Sequence, residues 1–377
     1  MKNITIAARN KLLHFFYTKA LKPIYFHLDP EEVHNAMIRV GVSLGRYALT
    51  RKITSLIFSF SHPMLEQNIL GIHFANPIGL SAGFDKDALL TNILPCVGFG
   101  FAEVGSITGE PCEGNPKPRL WRLPKSKGII VWYGLKNDGA EIISKKMKKL
   151  TFKIPIGISV AKTNSPETVN REKGIRDYLK VVKHFLDIGD YFTINISCPN
   201  AYGGEPFCGP SNLEALLSEL DKIQTEKPIF IKLPPDLSEK EVDDILEISK
   251  KHRVQGFIIS NLTKDQSNLK VNKEEFKNVS KGKGGISGKP VDDLSNKLIA
   301  RIYQKEGDKF IIIGVGGIFS AEDAYKKIKL GASLTQLITG MIFEGPQLIG
   351  EINRGLVRLL KSDGFQNISE ARGTEKL

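Results

Sequence analysis

From Asn76 onward the chain alternates short hydrophobic runs with amphipathic stretches. The eight runs are "NPIGLSAG", "FAEVGSI", "IPIGISVAK", "FTINISCPN", "PIFIKLPPD", "VQGFIISN", "FIIIGVGGI" and "SLTQLITG". Each is dense in Ile, Val, Leu or Phe and bounded by turn residues, as a strand buried on both faces should be. Between most of them the apolar positions return at helical spacing. "SEKEVDDILEISKKH" opens with Ser238 and Glu241 at capping-box spacing, and "SAEDAYKKIKLGA" opens similarly at Ser320. Hydrophobic strands alternating with helices in this way predict an α/β fold, a (β/α)8 barrel of the TIM type.

Upstream the pattern changes. Asp29 and Pro30 fit the N-cap and first residue of a helix. Val33, Met37, Val40, Leu44 and Tyr47 then recur on one face, and Ile53, Leu56, Ile57 and Phe60 mark a second, shorter helix. The expected organisation is a tail over 1–28, a small antiparallel helical pair over 29–62, and the barrel over 63–365. Two long insertions interrupt the barrel. Residues 108–138 include "KPRLWRLP" and "GIIVWYG", which predict a β-ribbon after the second strand; residues 262–290 end in the glycine-rich "GKGGISG". Loops of this length on a barrel's catalytic rim are usually lids or ligand clamps.

A length of 377 residues with 41% hydrophobic content suits one large barrel or two domains. The charge sharpens the picture because it is uneven. Of the net +12, residues 1–60 supply nine Lys and Arg against three acids. In "KLLHFFYTKALKP" the residues Leu12, Leu13, Phe15 and Phe16 are interleaved with lysines, a basic amphipathic stretch suited to an anionic membrane surface. A solvated basic tail is the plainer reading. No small-residue cleavage site follows, so the stretch does not read as a secretory signal, although a short organelle-targeting segment stays open. No apolar run approaches the roughly 18 residues of a spanning helix. The four cysteines (Cys96, Cys112, Cys198, Cys208) form no C-x-x-C pair, which argues against a zinc or iron–sulfur site and against a disulfide scaffold.

Chemistry-bearing residues gather at strand ends, the active-site face of such a barrel. In "FTINISCPN" (192–200) the proline stops the strand and leaves Cys198 between Asn195 and Asn200 at the mouth of a loop. "SAGFDKDA" (81–88) sets Lys86 just past the first strand, with Ala82 and Gly83 small enough for a flat ligand to approach the backbone. "GVGGI" (314–318) and "ITG" (338–340) end the seventh and eighth strands, where barrels commonly bind a phosphate. Tight βα turns alone explain one such glycine pair; they explain both together with "GGISG" less well. Lys232, in "IKLPPD", carries a charge into a strand end and needs an anionic or electron-rich partner. Against these stand bland alternatives: a lone lysine is usually a surface charge, and a free cysteine a small hydrophobe. The bland reading is the expected one for Cys96 and Cys112.

Over residues 20–355 the chain resembles the dihydroorotate dehydrogenases, flavin enzymes of pyrimidine synthesis. The matching motifs are "FHLDPEEVH", "NPIGLSAGFDKD", "EVGSITGEPCEGNPKPRLWRLP", "NISCPN", "IKLPPDLSEKE", "GGISGKP", "IIIGVGGI" and "GMIFEGPQLI", long and in the right order. The resemblance implies FMN held by Ala82, Gly83, Lys86, Ser106, Ser159, Asn195, Lys232, Ser260, Gly288, Gly317, Thr339 and Gly340. It implies that Lys86, Asn195, Asn200 and Asn261 contact dihydroorotate or orotate, and that Cys198 is the base taking a ring proton. The helical pair resembles that of the quinone-using, membrane-associated branch, with Arg122 facing the quinone. The implied location is peripheral, on the cytoplasmic face of a membrane, or on the inner mitochondrial membrane in a eukaryote. No metal and no nucleic acid are expected.

Some positions depart from that branch. It has serine where this chain has Cys198, and the following "AYGGEPFCG" is more similar to the cytosolic branches. Val131 and Trp132 stand where Asn-Arg is usual, and Ser159 where asparagine is common. Losing an amide at Val131 would cost about 1–1.5 kcal/mol of substrate affinity if water replaces it. An unperturbed thiol near pKa ~8.5 would give activity rising from neutral to mildly alkaline pH. A disulfide between Cys198 and Cys208 would remove the base and is not expected. Two alternatives are a dihydrouridine synthase-like flavin barrel acting on tRNA, which the positive charge would suit, and a flavin-binding paralogue with altered substrate or acceptor. The first family adds a C-terminal helical domain for which little chain follows the eighth strand; Lys86, Cys198 and the three asparagines speak against the second.

Overall fold

The computed structural model describes residues 2–264, 271–276 and 279–377. All eight hydrophobic runs form strands: β1 (Ile78–Leu80), β2 (Phe101–Ile107), β3 (Ile156–Val160), β4 (Tyr191–Asn195), β5 (Ile229–Leu233), β6 (Gly256–Ile259), β7 (Ile311–Val315) and β8 (Leu334–Leu337). They close in chain order into one barrel with every neighbouring pair parallel. Helices alternate with them, and the main hydrophobic core fills the layer between strands and helices. The capping box of Ser238 and Glu241 is formed, and Ser320 caps its helix by accepting from the Asp323 amide.

The barrel interior is layered. Its lower end is plugged by Phe101, Tyr191, Phe230 and Leu334, with Phe74 packed edge-on against Phe101. Two glycines make the plug possible. A Cβ on Gly79 would lie 2.4 Å from the Phe101 ring, and one on Gly157 2.2 Å from the Tyr191 ring. Above the plug the inward-facing residues turn polar: Glu103, Thr193, Lys232 and Gln336 are all buried.

The insertion after β2 forms the expected ribbon, Leu120–Leu123 pairing antiparallel with Gly128–Val131. A third strand, Gly285–Gly288, completes it from the glycine-rich end of the other insertion, which the sequence presents as loop. Part of that insertion, 265–270 and 277–278, lies outside the described residues.

Residues 2–27 of the basic tail are helical. α1 (Lys2–Phe16) passes through a π-helical turn (Tyr17–Leu21) into α2 (Lys22–His27). Its interior has no proline before Pro23, so nothing in the sequence stops the helix at its middle. α3 (Pro30–Arg46) starts where Asp29 accepts from the amides of Glu31 and Glu32, at 2.9 and 3.0 Å. α4 (Ala48–Phe58) follows after the extended residue Tyr47. Arg9 of α1 donates to the Leu56 carbonyl of α4, joining the two. These helices leave Leu12, Phe15, Leu49 and Leu56 more than 60% exposed.

Candidate active site

One cavity of about 390 Å³ runs from the upper ends of the barrel strands, under the ribbon, to the inner faces of α2 and α3. Of the residues expected at the site, Ala82, Gly83, Lys86, Ser106, Asn195, Cys198, Lys232, Ser260, Asn261, Gly288, Gly317, Thr339, Gly340 and Arg122 line it. Ser159 and Asn200 lie just behind its wall.

The β4 end organises the polar wall. Asn195 Nδ2 donates to Ser106 Oγ at 2.8 Å, and the hydroxyls of Ser106 and Ser159 are 2.7 Å apart. Ser159 therefore braces Ser106 rather than facing the cavity. Asn195 Oδ1 accepts from the Ser197 amide and hydroxyl at 3.2 and 3.0 Å, and Asn261 Nδ2 donates to the Ser197 carbonyl at 2.7 Å. Asn200 turns toward the ribbon. Its Nδ2 donates to the Val131 carbonyl at 2.8 Å, its own carbonyl accepts from Asn115, and its buried Oδ1 has no partner among the described residues. Val131 thus anchors Asn200 through its backbone.

Lys86 is aimed by its neighbour. Asp85 accepts from the amides of Leu89 and Leu90, both at 2.8 Å, which folds "GFDKD" into a fixed turn. The Lys86 ammonium then lies 3.2 Å from His34 Nε2 of α3 and 4.0 Å from the Tyr133 ring centre. Burial pushes Lys86 down to about 8, against the pull of Asp87. Burial, then the charges of Lys86 and Lys136, pushes His34 down to about 3, so its ring is neutral and can accept from Lys86.

Cys198 is partly open to the cavity by surface area but enclosed by protein on all sides at longer range. That enclosure, more than any neighbour, pushes its thiol up to about 11; Glu205 adds to the rise, while the Asn200 amide, Lys162 and Lys264 oppose it. The thiol is therefore harder to ionise than an unperturbed cysteine, and the expected rise of activity moves to more alkaline pH. All four cysteines are free. Cys112 donates to the Gly134 carbonyl and Cys208 to that of Ile196.

The ends of β7 and β8 meet the third ribbon strand in a cradle. Gly288 has φ +92°, and a Cβ there would approach the Lys127 carbonyl to 2.4 Å; Ser287 and Thr339 hydroxyls sit 3.0 Å apart beside it. Gly317 has φ +75° and is backed by Asp292. Across the cavity, a Cβ on Gly83 would meet only Ile338, at 3.9 Å, so a flat group can lie close to this backbone. Ser260 Oγ is buried without a partner among the described residues, and Lys232 Nζ has Ser81 Oγ at 3.1 Å. A backbone cradle for phosphate, an ammonium and an unanswered hydroxyl beside a flat slot fit a flavin.

At the other end Arg122 donates to the Leu28 carbonyl at 2.8 Å and stacks over Phe26 at 4.9 Å. Tyr17 and Tyr25 line the same end. Sequence reasoning missed His34, although Pro30, Val33, His34 and Met37 share one helical face and all line the cavity. It also missed Tyr133 and Lys162, whose ammonium donates to the Tyr202 carbonyl at 2.6 Å and holds the loop after Cys198. Among the described residues no cluster of His, Cys, Asp and Glu could hold a metal, and no helix is long and apolar enough to cross a membrane.

A sequence profile of the family described as dihydroorotate dehydrogenase matches residues 64–360. A dihydroorotate dehydrogenase (quinone) from Nostoc punctiforme is 39% identical over 95% of this chain and 98% of its own. One of the same name from Nautilia profundicola is 37% identical, covering 94% of this chain and 96% of its own. Among solved structures, the ligand-free enzyme from Eimeria tenella superposes with TM-score 0.80 at 29% identity over 92% of this chain and 99% of that one. Its complex with ferulenol gives 0.79 at 28%, over 92% and 95%.

Proposed function

The chain belongs to the dihydroorotate dehydrogenase family, and on that premise we propose that it oxidises dihydroorotate to orotate with bound FMN and passes the electrons to a membrane quinone. The observation that carries this reading is the single cavity joining Cys198, Asn195, Lys86 and Lys232 at the strand ends to Arg122, Tyr25 and Phe26 at the helices. A polar, hydrogen-bonding end suits a charged pyrimidine; an apolar, aromatic end suits a quinone.

The bound flavin supplies a two-electron acceptor for the substrate's hydride and the onward donor to quinone. The protein's own residues do the rest. Gly288, Gly317, Thr339 and Gly340 would hold the phosphate, with Lys232, Ser260 and the backbone at Ala82 and Gly83 along the ring system. A mononucleotide suits this cradle, since no G-x-G-x-x-G follows an early strand to hold a pyrophosphate. The amides of Asn195 and Asn261 meet carbonyl and N–H groups of the pyrimidine, Lys86 offers it a positive charge, and Asn200, expected there too, instead holds the ribbon from behind the wall. The Cys198 thiolate, the minor form near pH 7, takes the ring proton and becomes a thiol, and the neighbouring C–H gives up its hydride, so two electrons and two hydrogens leave the substrate. Ribbon and helices keep water from this step.

The exposed Leu12, Phe15, Leu49 and Leu56, with the lysines of α1 and α2, support peripheral binding to an anionic leaflet, the cytoplasmic one. The deciding experiment is anaerobic. Dihydroorotate should bleach the flavin of purified protein and a short-chain quinone should restore its colour. A flavin that dihydroorotate leaves oxidised refutes the substrate; one restored only by fumarate or NAD refutes the quinone. Release of FAD on heating refutes FMN.

A further inference from the structure

Beneath the strand ends Lys232, set along the ring system above, is backed by a buried carboxylate that the reaction above does not use. Glu103 lies at the middle of β2 and Lys232 near the end of β5, 0% and 4% exposed, with Oε2 and Nζ 4.0 Å apart. Glu103 Oε1 accepts from the Thr193 hydroxyl, reaching across Gly157 of the strand between them. Oε2 is buried and has no hydrogen-bond partner among the described residues. Phe101, Tyr191 and Phe230 seal the space below from water. A carboxylate so placed is strongly disfavoured unless a positive charge answers it. Lys232 lines the cavity, whereas Glu103 does not. Carboxylate, ammonium and ligand slot thus form a chain in that order.

We infer that Glu103 is a positioning residue that keeps Lys232 charged and aimed into the cavity, and so sets how readily the site accepts the negative charge a flavin gains on reduction. The inference rests on the flavin reading above. The unshared oxygen matters here. Were Glu103 present only to tie β2 to β4, the Thr193 contact would suffice and Oε2 would have its own donor.

The other groups around the pair leave its charge to its two members. Lys232 faces Glu103 from β2 and Cys198 from the loop after β4. Glu103 faces Lys232 and the Tyr191 hydroxyl of β4. Neutral Thr193 and Ser81 complete the polar contacts. Burial holds Tyr191 well above its ordinary range and Cys198 up at about 11, so both are neutral near pH 7. Burial lowers the proton affinity of Lys232 and Glu103 raises it. Removing the carboxylate charge must therefore let the ammonium lose its proton at lower pH.

The test is a redox titration of protein-bound flavin across pH. In wild type the midpoint potential should fall more steeply where Lys232 deprotonates. Glu103→Gln, which keeps the volume and a Thr193 contact, should move that break at least about one pH unit lower, the usual effect of losing an opposite charge at this range. Glu103→Asp should leave it near its wild-type position. Lys232→Arg, whose guanidinium stays charged, should abolish the break with Glu103 intact, and this arm stands even if Glu103→Gln fails to fold. Superimposable curves for wild type and Glu103→Gln, or a break persisting in Lys232→Arg, would overturn the inference. Wild-type protein without a flavin spectrum would sink the cofactor reading and this inference together; a flavin indifferent to residue 103 sinks only the latter.

Discussion

Glu31 of α3 and Arg119, at the entry to the ribbon, meet in a two-pronged ion pair, with Nε–Oε2 2.9 Å and Nη2–Oε1 2.7 Å. The remaining Arg119 nitrogen donates to the carbonyls of Glu113 and Asn115, and the guanidinium lies over Tyr133 of the cavity wall. Helical pair, ribbon and active site are thereby pinned at one point.

Replacing Glu31 by Gln should lower stability by about 2 kcal/mol. Both side chains are covered, yet they lie in a thin layer near the surface, so solvent screening trims the cost below that of a deep pair. Burial pushes the Glu31 carboxyl up, but the hydrogen bonds and charge of Arg119, with Lys117, outweigh it and hold the group below the usual carboxylate range. A depressed carboxyl stabilises the fold at pH above its unfolded value, and that contribution is lost as pH falls through the folded value. Thermal melts should therefore show wild type and Glu31→Gln converging in acid and separating at neutral pH. Parallel melting curves at every pH would rule the pair out as a stabilising contact.

Cys198→Ala should keep its flavin and reduce it about 10²–10⁴ times more slowly with dihydroorotate, the usual loss on removing a general base. Because burial places the thiol at about 11, the wild-type rate at saturating substrate should still be climbing above pH 9. Anaerobic stopped-flow would read both effects. An alanine variant reduced at the wild-type rate leaves Cys198 as packing.

Lys86, pushed down to about 8 by burial, should lose its proton in the free enzyme just above neutrality. The ratio kcat/KM, which reports free-enzyme groups, should accordingly level off above pH about 8, loss of the ammonium offsetting the gain in thiolate, while kcat continues to rise. Lys86→Ala should raise KM and let kcat/KM climb through that range. A plateau unchanged in the variant would assign it to another group.

Changing Phe15 and Leu56 to Ser should weaken binding to anionic vesicles about tenfold each, as expected from withdrawing a large apolar side chain from the interface. Dihydroorotate-driven flavin reduction should stay intact, since neither residue reaches the cavity. Sedimentation with vesicles measures it; unchanged partitioning would mean another surface meets the membrane.

The barrel is legible in the sequence because strands such as Ile229–Leu233 are apolar almost throughout and sit between segments of helical period. Strand ends carry the site residues, so Lys86, Cys198 and Asn261 could be placed once the strands were. What escapes is whatever depends on distant partners. "GISG" has one apolar residue and becomes a strand only because Gly128–Val131 lies alongside. His34 is polar on an otherwise apolar helical face, and its contact with Lys86 crosses 52 positions. The Cys198 thiol takes its character from an enclosure to which Lys162 and Lys264, both distant in sequence, belong along with Glu205 of its own loop.

The three-stranded ribbon has a consequence for the order in which the molecule can be made. Ile130 pairs with Ile286, so the roof waits for a segment emerging far later in synthesis. Long-range pairings of this kind form slowly, after local contacts have gathered. The nascent barrel must pass through a stage with six strands present and its mouth uncovered, its apolar lining a target for chaperones or for premature cofactor capture. Pulse-labelled hydrogen exchange should find the amides of Ile129 and Ser287 among the last to gain protection.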